Sequence, residues 1–146
     1  MPQVVQIGIH ESKGDKVREV DTVEAIKGKG LVNNRHFKEN NEKKSQITLI
    51  EIENINYYNK ISKIKIPSIN FRRNIVTSGI KLNKLLNKEF YIGKVRVIAH
   101  DLCRPCKYLQ ELLRQNNIIK ELLQKGGLRC EILTNGKIDI GDKITF

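Results

Sequence analysis

Alternating apolar and polar residues predict β-strands at both ends of the chain. Residues 4–10 alternate between the two classes, the period of a half-buried strand. A second β-rich segment ends near Ile26, so we expect the first piece to be an antiparallel hairpin. Residues 128–133 and 138–140 are also strand-like, and Asn135-Gly136 between them is typical of a tight hairpin turn.

A capping-box pattern predicts the longest helix. Thr48 is followed three residues later by Glu51, so the hydroxyl of the first and the carboxylate of the second are placed to satisfy each other's backbone N–H groups. The apolar residues that follow predict a helix from about Leu49 to Lys60.

Shorter helical patterns and further strands complete a β-rich pattern. Residues 82–86, 109–113 and 118–123 have helical apolar spacing, and Gly126-Gly127 is expected to end the last of these helices. About seven or eight short strands are joined mostly by turns. The chain is therefore predicted to be one α+β, β-rich domain over residues 1–146, a β-barrel with a few short helices packed outside.

The chain is strongly basic. Its 27 Lys and Arg residues exceed its 16 Asp and Glu residues, which gives a formal net charge of +11. Such a charge favours anionic partners, either a phosphorylated cofactor or nucleic acid. Aromatic residues make up only 5% of the chain, which weighs against stacking on single-stranded nucleic acid. No apolar run is long enough for a membrane helix and no secretory signal is evident, so we expect a cytoplasmic protein with reduced cysteines.

Two of the three cysteines, Cys103 and Cys106, lie where a predicted strand gives way to a predicted helix. The first turn of a helix offers free N–H groups and a positive dipole end, which favour a thiolate. Arg104 and Lys107 add positive charge. This arrangement predicts a reactive thiol near neutral pH.

Three interpretations of the cysteine pair remain open from the residues alone. The pair resembles the redox motif of thioredoxin-like proteins, although no proline follows Pro105 to supply the downstream cis-proline of that fold. A zinc site is a second possibility, with Cys130 and His100 as further ligands. The third is a pair of ordinary buried cysteines.

Two other segments attract attention as anion-binding candidates. Gly28 and Gly30 alternate with lysine and let a backbone approach a ligand closely, and Arg35-His36 follows them. Residues 71–77 read as a strand, on which adjacent side chains such as Arg72 and Arg73 point to opposite faces. The polar segment 38–44 is expected to be mobile.

The motifs together resemble a known family. The run from Arg72 to Asn83 (RRNIVTSGIKLN), Leu102 to Cys106 (LCRPC) and Gly127-Leu128-Arg129 are similar to the stand-alone MOSC domain, which also forms the C-terminus of molybdenum cofactor sulfurases. Lys29-Gly30-Leu31 with Arg35-His36, and residues 46–51, resemble its earlier motifs. Asn33-Asn34 stands where the family usually has Gly-Asp.

The resemblance implies a β-barrel that binds the molybdenum cofactor, a pterin dithiolene carrying a phosphate. By position, Cys106 would be the molybdenum ligand or a persulfide carrier, with Cys103 as a second candidate catalytic cysteine. The implied cofactor-binding residues are Gly30, Arg35, His36, Arg73, Asn74, Arg104 and Arg129. Some family members act in cofactor sulfuration and others reduce N-hydroxylated compounds, so the activity is left open. A separate cysteine desulfurase or electron-donor protein would be required.

Overall fold

The computed structural model describes residues 1–12, 16–104 and 107–146, and most strands within them form one eight-stranded sheet. The order in this sheet is β11-β7-β8-β9-β5-β6-β1-β2. Its strands are β1 (Gln3–Ile9), β2 (Arg18–Val20), β5 (Ile47–Glu51), β6 (Ile75–Ser78), β7 (Glu89–Ile92), β8 (Val95–Leu102), β9 (Leu128–Ile132) and β11 (Ile144–Thr145). The antiparallel pairing of β1 with β2 confirms the predicted first hairpin as far as Val20, whereas residues 22–26 belong to a second sheet.

The sheet curls until β11, at one end, meets β1, which lies next to the other end. β11 pairs with β7 at one end, yet the backbone just before and within β11 also bonds to the start of β1. Val4 N–H donates to the Asp142 carbonyl at 2.9 Å, and Ile144 N–H donates to the Pro2 carbonyl at 3.0 Å. Closing a sheet in this way satisfies edge groups that would otherwise face water. The predicted barrel is confirmed.

A smaller sheet joins distant parts of the chain. It has the order β10-β3-β4, with β3 at Thr22–Ile26, β4 at Gly30–Leu31 and β10 at Gly136–Asp139. The predicted hairpin across Asn135-Gly136 is wrong, because β10 pairs with β3 and not with β9. The Asn135 side chain instead accepts a hydrogen bond from Lys27 N–H at 2.7 Å, which fixes the crossing between the two sheets.

Helices cover one outer face of the barrel. They are α1 (Ile52–Ser62), α2 (Lys107–Leu112) and α3 (Ile118–Glu121). Buried residues of this layer, including Ile55, Tyr58 and Leu109, pack with Ile50 and Val76 on the outer side of the sheet. The inner side holds a separate and larger apolar cluster drawn from both sheets. The alternation of β-branched residues therefore fills two cores, one on each side of β5 and β6.

Two helix boundaries differ from those predicted. Thr48 lies inside β5, and Glu51 precedes α1 without capping it through its side chain; its carboxylate accepts from Leu82 N–H at 3.1 Å. Gly126 and Gly127 lie directly before β9 and do not cap α3, whose last turn ends at Leu122. In the described part of the chain, no helix is long and apolar enough to cross a membrane.

Candidate functional site

One end of the barrel gathers the chain segments that carry polar and sulfur chemistry. β1 and β8 finish at this end, whereas β5, β6 and β9 begin there, as their pairing directions require. Side chains that are far apart in sequence, from His10 to Arg129, therefore meet around one opening.

The opening leads into a cavity of about 200 Å³. Five cationic residues line it: Lys44, Arg72, Arg73, Arg104 and Arg129. The remaining lining residues are His10, His36, Ser45, Thr48, Asn74 and Cys103. No Asp or Glu of the described ranges is among them. An excess of guanidinium groups without lining carboxylates suits an oxyanion such as phosphate.

Asn74 and Thr48 bind each other and close the wall between three strands. Asn74 Oδ1 accepts from Thr48 N–H at 3.1 Å and from the Thr48 hydroxyl at 3.2 Å, and Asn74 N–H donates to that hydroxyl at 3.0 Å. The Asn74 amide nitrogen donates to the Gly8 carbonyl at 3.1 Å. Asn74 is buried and its amide is satisfied by the protein, so it positions β1, β5 and β6 around the cavity.

The arginine pair precedes β6 and is not part of a strand, so the predicted strand over residues 71–77 is wrong in its first half. Arg72 follows a short 3₁₀ turn (Ser68–Phe71) and has a left-handed backbone with φ of 63°. This bend brings both Arg72 and Arg73 to the cavity, where a strand would have turned them to opposite faces. Non-glycine residues with positive φ are uncommon and cluster at functional sites.

Two backbone carbonyls hold the Arg73 side chain. Its Nε donates to the Gly126 carbonyl at 2.9 Å and its Nη1 lies 3.3 Å from the Phe71 carbonyl. Cys103 N–H in turn donates to the Gly127 carbonyl at 2.8 Å. Arg73 thus serves Cys103 as its cationic neighbour.

Burial dominates the chemistry of the two described cysteines. Both Cys103 and Cys130 are free and buried. Burial raises the pKa of the Cys103 thiol, although the charges of Arg73 and Arg129 oppose the rise. The expectation of a thiolate near neutral pH is therefore wrong for Cys103. Burial raises the pKa of the Cys130 thiol strongly, in line with its position inside the barrel.

A bulge in β8 sets the opposite wall. The pairing of β8 with β9 shifts between Ala99 and Asp101, which brings Asp101 directly across from Arg129. Arg129 is in turn paired with Thr48 on β5. Such bulges re-aim side chains near the ends of strands. A hydrogen bond from Arg104 is the main cause of a lowered pKa at Asp101, so this carboxylate is charged at neutral pH.

The loop between β4 and β5 contributes the rim of the cavity. Asn41 is buried and donates to the carbonyls of Lys29 and His36. Arg129 Nε donates to the Lys44 carbonyl at 2.8 Å, which ties the end of the loop to β9. These bonds hold Lys44 at the cavity.

His10 and His36 meet edge-to-face at this rim, with ring centroids 6.1 Å apart. Partial burial, followed by the charges of Arg35 and Arg129, lowers the pKa of His36 below its ordinary value of 6.5. Two hydrogen bonds join the segments that carry these histidines. Asn34 Oδ1 accepts from His10 N–H at 3.2 Å, and Arg35 N–H donates to the His10 carbonyl at 2.6 Å. His36 is therefore mostly neutral at pH 7.

The comparisons with known proteins agree with this architecture. The profile of the MOSC domain matches residues 32–145. The chain belongs to the MOSC domain family.

Solved structures of MOSC-like shape cover almost the whole chain. The YuaD protein from Bacillus subtilis matches with a TM-score of 0.84 at 18% identity, covering 99% of this chain and 94% of that one. YiiM from Geobacillus stearothermophilus matches with a TM-score of 0.81 at 18% identity, covering 99% and 74%. YiiM from Escherichia coli matches with a TM-score of 0.73 at 15% identity, covering 99% and 69%. These likenesses establish the shared fold. No significant match is found among the curated proteins.

Most of the residues expected from the MOSC resemblance lie together. His36, Arg73, Asn74, Cys103, Arg104 and Arg129 all line the cavity. Cys106 and Pro105 lie outside the described residues, so the central cysteine prediction stays a prediction.

Gly30 and Arg35 are not among the residues that line the cavity. Gly30 has a φ of 126°, and an added Cβ would lie 3.3 Å from the Gln46 carbonyl oxygen. Glycine at this position therefore lets β4 lie close to the backbone just before β5. Arg35 is exposed and acts on the site through its charge beside His36.

No cluster of three or more metal-ligating side chains is found within residues 1–12, 16–104 and 107–146. His100, one of the residues considered for zinc, instead contacts Glu131, with its Nε2 at 2.8 Å from the carboxylate.

Five lining residues were missed from the sequence: His10, Lys44, Ser45, Thr48 and Arg72 were not assigned to the cofactor. Thr48 was assigned to a helix cap because of its capping-box spacing, and His10 was assigned only to the end of the first strand. The Arg72-Arg73 pair was noticed, but the left-handed turn that turns both residues inward has no clear signal in the sequence.

Proposed function

We propose that this MOSC domain binds the molybdenum cofactor at the cation-lined cavity, with Cys106 as the molybdenum ligand or as a persulfide-carrying cysteine. The observation that carries the proposal is the cavity itself. It combines five cations with Cys103, and no described Asp or Glu lines it.

The residues present fit the phosphate end of such a cofactor. Arg72, Arg104, Arg129 and Lys44 offer guanidinium and ammonium donors around one opening. Guanidinium groups form paired hydrogen bonds with phosphate oxygens, and a partly enclosed site strengthens them relative to water. Arg73 and Asn74 are committed to the protein, so we assign them to the shape of the cavity.

The cysteine chemistry follows from sequence position. Cys106 follows the cavity-lining Arg104 with one residue between them, and α2 begins at the next residue. A thiolate is a soft ligand and suits a sulfur-rich molybdenum centre, which when bound supplies oxygen-atom and electron-transfer chemistry. Cys103, whose thiol is held protonated by burial, would support the site as a neighbour.

A sulfur-carrier role needs a donor. The Cys106 thiolate would attack the outer sulfur of a donor persulfide; the donor S–S bond breaks, the donor leaves as a thiolate and Cys106 keeps the sulfur as a persulfide. A cysteine desulfurase is the class of partner that provides such a persulfide. A reductase role would instead need an electron-donor protein.

We place the protein in the cytoplasm, where cysteines such as Cys103 and Cys130 stay reduced.

Loading in cells tests the proposal. Protein made in a molybdenum-replete host is analysed for molybdenum by elemental analysis and for added sulfur by intact and peptide mass spectrometry. We expect either near-stoichiometric molybdenum or a one-sulfur adduct on Cys106, and Cys106→Ala should lose whichever is present. The first result indicates cofactor binding and the second indicates sulfur carriage.

Two other cysteines serve for comparison. Cys130→Ala removes a thiol that does not line the cavity, and it should keep the wild-type load. Cys103→Ala should reduce the load less than Cys106→Ala. Retention by Cys106→Ala of the molybdenum or sulfur load that wild type carries would reject the proposal.

A further inference from the structure

We propose that Asp101 is an internal competitor for the anionic group of the ligand, holding two of the cavity's five cations until that group arrives. The inference rests on the proposed anion site and adds a residue that sets its affinity. It assigns to Asp101 a role in setting anion affinity, although this residue does not itself line the cavity.

A single carboxylate oxygen contacts both cations. Asp101 Oδ2 lies 3.0 Å from Arg104 Nη1 and 3.4 Å from Lys44 Nζ. The other oxygen, Oδ1, accepts from Leu102 N–H at 2.8 Å, which fixes the carboxylate at the end of β8. Lys44 comes from the loop before β5 and Arg104 from the loop after β8, so Asp101 links the two sides of the opening.

The arrangement is specific to this position. Among the ion pairs formed between residues of the described ranges, only those of Asp101 include cations that line the cavity. The β8 bulge places Asp101 opposite Arg129, which also lines the cavity, in the strand register. A negative group is therefore already present where an incoming oxyanion needs positive charge.

The cations are held weakly enough to be exchanged. The side chains of Lys44 and Arg104 are 55% and 74% exposed. Ion pairs of this kind contribute little because water screens them and long side chains lose freedom. A doubly charged oxyanion in the cavity offers both cations a stronger partner than one carboxylate. Asp101 thus lowers the affinity for any anion that must take both cations from it.

Replacing the carboxylate by an amide isolates its charge. Asp101→Asn keeps an oxygen that accepts from Leu102 N–H but no longer binds Lys44 and Arg104 as an ion pair. Inorganic phosphate serves as the probe, titrated by calorimetry into the full chain at fixed pH and ionic strength. We expect Asp101→Asn to bind phosphate about threefold to tenfold more tightly than wild type, the range that one or two exposed ion pairs supports.

A double-mutant cycle separates competition from general charge. In a background carrying both Lys44→Met and Arg104→Met, Asp101→Asn should give almost no gain, because its two partners are absent. Glu131→Gln removes the same charge from neighbouring β9, where Glu131 pairs with His100, and should change phosphate affinity much less. If Asp101→Asn does not fold, Asp101→Ser, which keeps an accepting oxygen, replaces it in every arm.

Each possible result either supports or contradicts competition by Asp101. A gain that disappears in the Lys44 and Arg104 double variant supports the inference. Unchanged or weaker phosphate binding by Asp101→Asn, an equal gain in the double variant, an equal gain from Glu131→Gln, or no binding by either protein overturns it. The load of molybdenum or sulfur in wild-type protein is measured separately, so a failure here does not reject the proposed function.

Discussion

At the scale of single residues, His36 is a cavity-lining group whose charge depends on pH. Partial burial and the neighbouring Arg35 and Arg129 lower its pKa, so it is mostly neutral at pH 7 and becomes charged below its ordinary value of 6.5. A charged imidazole adds another cation to the rim. Anion affinity should therefore rise as pH falls through the pKa of His36 and level off below it.

Sulfate is the suitable probe for this prediction, because it remains a dianion between about pH 5 and pH 8. The dissociation constant is measured across that range for wild type and for His36→Gln, which keeps polar atoms but does not titrate. We expect a steeper pH dependence in wild type, with the two proteins converging above pH 7. Identical pH profiles would show that His36 takes no part in anion binding.

The sequence motifs indicated part of this site. Arg73, Arg104 and Arg129 were selected because their motifs resemble the MOSC domain, and all three line the cavity. The sequence could not show that Arg73 is occupied by the Gly126 and Phe71 carbonyls. Whether an arginine can bind a ligand or instead positions the backbone depends on contacts between segments about 50 residues apart, such as Arg73 and Gly126. A local sequence pattern does not show such contacts.

At the scale of elements, the approach of β5 to the turn before β9 depends on one glycine. Gly127 has a φ of 102°, and an added Cβ would overlap the Leu49 carbonyl oxygen and crowd Ile50 Cα at 3.1 Å. We expect Gly127→Ala to lower the free energy of unfolding by about 3 kcal/mol or more, since backbone must move to relieve the overlap. Urea unfolding followed by circular dichroism measures the change.

Gly28 provides the matched control for backbone strain. Its φ is also positive, at 74°, but an added Cβ meets nothing within 4 Å. Gly28→Ala should therefore cost only about 1 kcal/mol, the penalty of the left-handed conformation. Equal losses in the two variants would mean that strain, and not the contact with β5, makes Gly127 necessary.

The Thr48–Glu51 segment shows why some elements were misassigned. Its Thr-x-x-Glu spacing satisfies the capping-box rule, but the same residues place Leu49 toward the barrel and Ile50 toward the helical layer. Pairing on both sides, with β6 and β9, outweighs the local capping preference. The short patterns at β7 and α2 were predicted correctly, because local and tertiary preferences agree there.

At the scale of the whole molecule, the β-rich class and the barrel followed from the sequence, but the strand pairing that closes the barrel did not. Period-two patterns indicate which residues face a core, and they were sufficient to predict strands such as β1 and β8. These patterns do not show which strands pair with each other. The pairing of β10 with β3, across more than 100 residues, had to be learned from the structure, and so did the convergence of strand ends that forms the cavity.

Closure of the barrel makes the last strand a test of global stability. Ile144 is only 2% exposed, lies opposite Ile92 of β7, and its N–H reaches the Pro2 carbonyl, so it touches both ends of the sheet. Ile144→Ala should lower the free energy of unfolding by about 2–5 kcal/mol through lost burial and the cavity left behind. Ile140→Ala deletes the same atoms at a position that is 39% exposed and should cost less than about 1 kcal/mol. Urea unfolding of both variants gives the comparison. Similar losses would contradict a barrel closed by β11, whereas a large loss at Ile144 alone, in one cooperative transition, is the result that a closed barrel requires.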